Sequence, residues 1–213
     1  MFPGALNNAI RATCTIAELS RMQDLEHRRL YLYGSLFDID AGEDPLKVSS
    51  PTCALAEHIM EFNRIDIASK TENPEPIRLY INSPGGDVTE GFTLIDTICT
   101  SKTPVWTINI GQCSSMAFLI SISGHRRFSF PSASFLMHDG TSGAIDSTNK
   151  MQDRVKFNMR FEKEVVRAHI LSHSKMSKKE YDKLERVEFY MLPQEALRYG
   201  FIDEIVTDIS AIL

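Results

Sequence analysis

No nucleotide-binding loop occurs anywhere in the 213 residues: neither G-x-x-x-x-G-K-[ST] nor G-x-G-x-x-G is present. ATP and dinucleotide binding by this chain are disfavoured accordingly. The four cysteines, Cys14, Cys53, Cys99 and Cys113, form no C-x-x-C pair, so zinc and thioredoxin chemistry lack their usual signal. Buried thiols in a reducing compartment are the simpler reading. A basic stripe is also missing. The net charge is -5, and the pairs Arg28–Arg29 and Arg126–Arg127 are too short to track a phosphate backbone, so no nucleic-acid partner is expected. No apolar run approaches the ~18 residues of a membrane span. The first twenty residues lack a basic n-region followed by an apolar h-region. A soluble, cytoplasmic protein with no membrane partner is expected.

What is present is alternation. "RRLYLYG" (Arg28–Gly34), "IRLYIN" (Ile77–Asn82) and "PVWTINI" (Pro104–Ile110) read as strands. Between and after them, Ala54–Phe62, the segment starting at Val88, and "SMAFLISIS" (Ser115–Ser123) read as helices. The last is apolar nearly all round, as a helix buried on every side would be. "RRFSF" and "SFLMH" read as two further strands about a Pro131 turn. Strand and helix thus alternate, the signature of an α/β domain with parallel strands and crossover helices. Residues 38–51 read as a polar loop. Ser147–His173 reads as one long helix. Ser177 is placed to cap a further helix with Glu180, and Pro193 and Gly200 bracket a short one. Residues 1–24 are weakly patterned and are set apart as a partly mobile N-terminal segment. Residues 25–213 are taken as a single domain.

Two strand-to-helix junctions carry the candidate chemistry. "SPGG" (Ser83–Gly86) turns sharply and leaves N–H groups uncovered, which favours a phosphate or a developing oxyanion. "GQCSSM" repeats the arrangement one unit later. A serine there exposes its hydroxyl at the carboxyl edge of the sheet beside the next N–H, the logic of a nucleophile elbow without the G-x-S-x-G spelling. His138 ends a strand where a general base is needed. His169 and His173 are four apart on a helix and are expected on a solvated face. No metal and no cofactor are expected.

Together, "YINSPGGDV", "GQCSSMAF", "SFLMH" and "PQEALRYGFIDEIV" resemble the ClpP family, the proteolytic subunit of the ATP-dependent Clp protease. The resemblance runs from about Arg28 to Val206. It implies a spiral of ββα units with a protruding handle helix at about residues 140–175. It implies a catalytic triad of Ser115, His138 and Glu188, and an oxyanion hole from the backbone N–H groups of Gly86 and Met116. Glu188 stands where the family carries Asp; Glu185 and Asp182 are alternatives, and Asp139 is expected to point away. Asp139-Gly140 replaces the family's Gln-Pro, and Val187 replaces an Arg. The chain therefore reads as a divergent paralogue.

The resemblance also implies assembly. Stacked seven-membered rings, homo- or hetero-oligomeric (a tetradecamer), would enclose a chamber fed with unfolded polypeptide by a separate ring-shaped AAA+ ATPase. Met151, Val155, Met159, Val165 and Val166 would face a neighbouring subunit. Tyr80, Ile108, Ile110, Phe128 and Phe130 match the cleft where the ATPase docks, with Arg78 where an aromatic is common. The implied function is a serine endopeptidase. A non-catalytic ring subunit is the alternative. A crotonase-type acyl-CoA enzyme shares the fold but needs no serine at the junction.

Overall fold

The computed structural model describes residues 16–36, 50–140 and 147–213. The expected polar loop and most of the N-terminal segment lie outside the described residues; from Ile16 the chain is helical, as α1 (Ile16–Glu26). A parallel sheet follows, with β1 (Arg29–Ser35), β2 (Ile77–Gly85), β3 (Val105–Ser114), β4 (Arg126–Ser129) and β7 (Glu204–Ile205) side by side in that order. Crossover helices α2 (Pro51–Ala68), α3 (Val88–Thr100) and α4 (Met116–Ile122) join the first four strands. Parallel neighbours require such crossovers, because a tight turn cannot reverse the chain twice.

β3 runs four residues past the expected end at Ile110. It does so because its outer edge has two successive partners. Trp106–Asn109 pair with β4, and Gln112–Ser114 pair with β5 (Ser134–Met137). The sheet splits at that point, so the C-terminal half of β3 is stabilised by a ladder that periodicity alone does not reveal. β5 in turn pairs antiparallel with β6 (Phe189–Met191), a three-residue strand absent from the sequence reading and a departure from an all-parallel sheet.

Side chains on a strand alternate faces, and the two faces are buried differently. Leu79 and Ile81 of β2 join Leu94 and Ile98 of α3 and the whole of α4 in the main core. Tyr80 of β2 with Ile108 of β3 and Phe128 of β4 form a second, smaller cluster on the other face. All seven residues of α4 are buried: six are apolar, and the Ser121 hydroxyl donates to Phe118 O at 2.7 Å. Arg28 clamps Asp66 of α2 in a bidentate pair at 2.6 and 2.7 Å, and Thr103 donates to the same carboxylate at 2.7 Å. Arg28 thereby holds the Asp66 carboxyl below its ordinary pKa and ties the start of β1 to the loop before β3.

The long helix forms as expected but is not uniform. α5 (Thr148–Phe161) passes through a π turn (Glu162–Val166) into α6 (Arg167–Ser172). α5 has no buried residue. Then α7 (Lys178–Leu184) begins with the Ser177–Glu180 capping box, and α8 (Pro193–Tyr199) ends at Gly200 in the left-handed conformation at φ 72°. A short 3₁₀ turn, Ile209–Ile212, follows β7. Among the described residues no helix is long and apolar enough to cross a membrane.

Candidate active site

The site is built where β2 and β3 end side by side. Gly85 and Gly86 both have positive φ, at 92° and 152°. A Cβ on Gly85 would lie 2.6 Å from the Ser114 carbonyl oxygen and 2.8 Å from the Met116 nitrogen. Backbone atoms cannot yield, so only glycine lets the end of β2 approach this junction so closely. The Gly85 carbonyl accepts from Leu36 N at 2.9 Å, on the β1 side. A planar trans peptide then aims the Gly86 N–H the opposite way, toward β3 and α4.

Ser115 occupies the turn between β3 and α4 with φ 55° and ψ −124°, a conformation that L-residues avoid. Two backbone bonds hold it there. Its N–H donates to Leu136 O of β5 at 2.9 Å, and its carbonyl accepts from Phe118 N at 3.0 Å. The buried helix and the β5 ladder therefore fix a strained serine at the sheet's carboxyl edge. Met116 opens α4, and an N–H in a first helical turn has no intrahelical acceptor. Ser114, one residue earlier, is still in the β3 ladder, paired with Leu136.

His138 follows β5 directly. Ser115, Met116 and His138 line one small pocket with apolar walls that include Val88, Met137 and Val166. One further acid, Glu162 from the π turn, lines it too. Sequence reasoning missed Glu162, which reads as one charge among many on a charged helix.

Glu188 is placed less directly. Phe189 pairs with Met137 across β5–β6, so the antiparallel register continued by one residue sets Glu188 opposite His138. The side chain is exposed, and its Oε2 accepts from Tyr190 OH at 3.1 Å. Of the alternatives, Asp182 is engaged by Arg167 at 2.6 Å and Glu185 lies 3.9 Å from Arg186. Asp139 is exposed.

The histidine pair is corrected for its first member. His169 is 9% exposed, packed between the long helix and α4, not on a solvated face. Its Nε2 lies 3.2 Å from Leu119 O, which can only accept, so this nitrogen carries the proton; Ser123 Oγ is 3.0 Å from the same atom. Burial pushes its pKa down to about 4. Cys99 Sγ is 3.8 Å from His173 Nε2, a neighbour the sequence did not suggest. Among the described residues no group of three or more His, Cys, Asp or Glu could hold a metal ion.

The five residues matched to a docking cleft do converge. Tyr80, Ile108 and Phe128 are buried in the second cluster, with Ile110 and Phe130 packed partly against it. Val206 and Ile212 complete that cluster, and Tyr80 OH donates to Ile212 O at 2.9 Å. Arg78 lies on the same face, its guanidinium 5.7 Å from the Trp106 ring centroid. Of the apolar positions assigned to a neighbouring subunit, Val155 and Met159 are well exposed, whereas Val166 packs on the chain's own core.

A mixed α/β sheet thus presents a strained serine at a strand-to-helix turn, with a histidine lining the same pocket. A family model for Clp protease matches residues 49–208. That is most of the chain, and it spans both junctions, the long helix and β6; the protein belongs to the Clp protease family.

Proposed function

We propose that this chain is a serine endopeptidase subunit that cleaves unfolded polypeptides inside a ring-shaped chamber, in an aqueous compartment, with a separate ATPase delivering the substrate. The observation that carries this reading is the strained Ser115 turn sharing a pocket with His138 in a member of the Clp protease family. Ser115 Oγ attacks the scissile carbonyl while His138 takes its proton. The carbonyl π electrons move to oxygen, and the N–H groups of Gly86 and Met116 stabilise that oxyanion. Collapse expels the amine, which takes the proton back from His138. Water then hydrolyses the acyl-serine by the same two proton transfers in reverse order, and Glu188 orients the imidazole.

Assembly into stacked rings is supported by α5, which has no fully buried residue. Val155, Phe157 and Met159 are 55%, 54% and 68% exposed on it, more apolar surface than an isolated helix leaves in water without a partner. Of the five residues assigned to ATPase docking, Ile110 and Phe130 are only partly buried, while Tyr80, Ile108 and Phe128 are buried in the second cluster.

One observation favours the second reading, a structural or regulatory subunit in a mixed ring: the exposed Glu188 carboxylate is bonded to Tyr190. The two readings separate on labelling. The assembled protein, with its partner subunits, is treated with a fluorophosphonate and assayed on fluorogenic peptides. Labelling at Ser115 with peptide cleavage supports the peptidase. Absence of both, or unchanged total activity when Ser115→Ala is placed in a mixed ring, supports the structural role instead.

A further inference from the structure

Among the described residues Glu162 is the one acid that lines the Ser115 pocket. It reaches the pocket from the π turn of the long helix, in a row with Val166 and Ile170. These three are spaced i, i+4, i+8, so they lie on one helix face. Tyr181 OH donates to Glu162 Oε1 at 3.1 Å and orients the carboxylate. Among the described residues Glu162 has no cationic partner. The nearby Arg167 is committed to Asp182 at 2.6 Å and stacks over the Tyr181 ring, and Arg160 lies 3.9 Å from Glu164.

The surroundings add negative charge and subtract water. Half-burial pushes the Glu162 pKa up. The Tyr181 bond opposes that rise, and the nearby carboxylates of Glu185 and Asp139 add to it. A carboxylate that is partly desolvated, held by one neutral donor and flanked by like charges lacks a counter-charge. The remaining walls, Val88, Met137 and Val166 among them, suit methylene groups.

We propose that Glu162 makes this pocket a recognition site for a basic substrate side chain, with the aliphatic stem of an arginine or lysine against the apolar walls and its cationic tip on the Glu162 carboxylate. Such a residue would precede the scissile bond, because the pocket opens beside Ser115. The proposal rests on the peptidase reading above, and a charge-assisted hydrogen bond of this kind is worth about ten- to a hundredfold in discrimination.

Two matched tripeptidyl aminomethylcoumarins, differing only in arginine or leucine before the scissile bond, test it on the full assembled chain. The wild-type protein is expected to cleave the arginine peptide with the higher kcat/KM. Glu162→Gln, which keeps the shape and the Tyr181 bond, is expected to lower the arginine-to-leucine ratio by about tenfold or more. A wild-type preference for leucine, or a ratio unchanged by Glu162→Gln, overturns the proposal. Fluorophosphonate labelling of wild-type Ser115 separates the two levels. With labelling intact, either of those results removes only the role of Glu162. Without labelling or cleavage, the peptidase reading falls and this proposal falls with it.

Discussion

Met137 is paired with Phe189 across the one antiparallel ladder among the described strands, and this pairing carries Glu188 to the position opposite His138. The backbone therefore brings the residue proposed as the third triad member beside His138, while its carboxylate accepts from Tyr190. Staggered side-chain wells at an exposed site interconvert at little cost, so the Tyr190 bond does not lock the Glu188 carboxylate in one rotamer.

If Glu188 orients the imidazole, Glu188→Gln should lower kcat by about a hundredfold to ten-thousandfold, because an amide cannot stabilise the imidazolium. Tyr190→Phe removes the competing donor and should leave kcat at or above the wild-type value. Both are read on a fluorogenic peptide under saturating substrate. A Glu188→Gln protein with wild-type kcat would remove Glu188 from the triad.

Much of this site was readable from residue order, and the reasons are local. Ser177 with Glu180 and Pro193 with Gly200 act through neighbours in sequence, so their signals survive without tertiary information. β6 was invisible because three residues, Phe189–Met191, cannot display a period and depend wholly on β5 for their ladder. The extension of β3 through Gly111 was hidden for the same reason. Gly111 N bonds Asn109 Oδ1 at 3.1 Å and Gln112 N bonds Asn82 Oδ1 at 3.2 Å, so side chains from two strands carry the chain across the register shift. His169 was misjudged and Glu162 was missed. Which face of a polar helix is buried is decided by where it docks, and α4 supplies a site for each that composition does not announce.

The backbone strain at Ser115 yields a stability prediction. A residue held at φ 55° and ψ −124° costs about 1–3 kcal/mol, which glycine does not incur. Glycine loses about 0.5–1 kcal/mol through its greater unfolded-state freedom. Ser115→Gly should therefore abolish peptide cleavage and stabilise the fold by about 1 kcal/mol, raising Tm by about 2–4 °C in a chain of this size. A thermal melt showing a lower Tm than wild type would mean that the turn is not strained in solution.

Gly91 of α3 faces the Met116 side chain with no space between them. A Cβ there would lie 2.2 Å from Met116 Cγ and 2.8 Å from its sulfur. Alanine favours the helix by about 1 kcal/mol, but overpacking costs about 1–3 kcal/mol. Gly91→Ala should destabilise by about 1 kcal/mol and lower kcat, since displacing Met116 shifts the N–H assigned to the oxyanion. The penalty should vanish in a Met116→Ala background, which a double-mutant cycle on chemical denaturation would measure. Additive effects of the two changes would show that the contact does not transmit.

His169 makes the fold sensitive to mild acid. Its pKa is about 4 when folded, against an ordinary value of 6.5, because burial excludes the charged form. Below 6.5 the unfolded chain takes up a proton that the folded chain refuses, so the unfolded state binds more protons and stability falls as pH drops. The loss begins near pH 6.5, grows down to about pH 4, and amounts to roughly 3 kcal/mol at about 1.4 kcal/mol for each pH unit. His169→Gln retains an N–H donor for Leu119 O without a titrating group. Its denaturation midpoint should change less between pH 7 and pH 4.5 than that of the wild type. Equal pH dependence in the two proteins would place the acid sensitivity elsewhere and return His169 to a purely packing role between the long helix and the helix that carries Ser115.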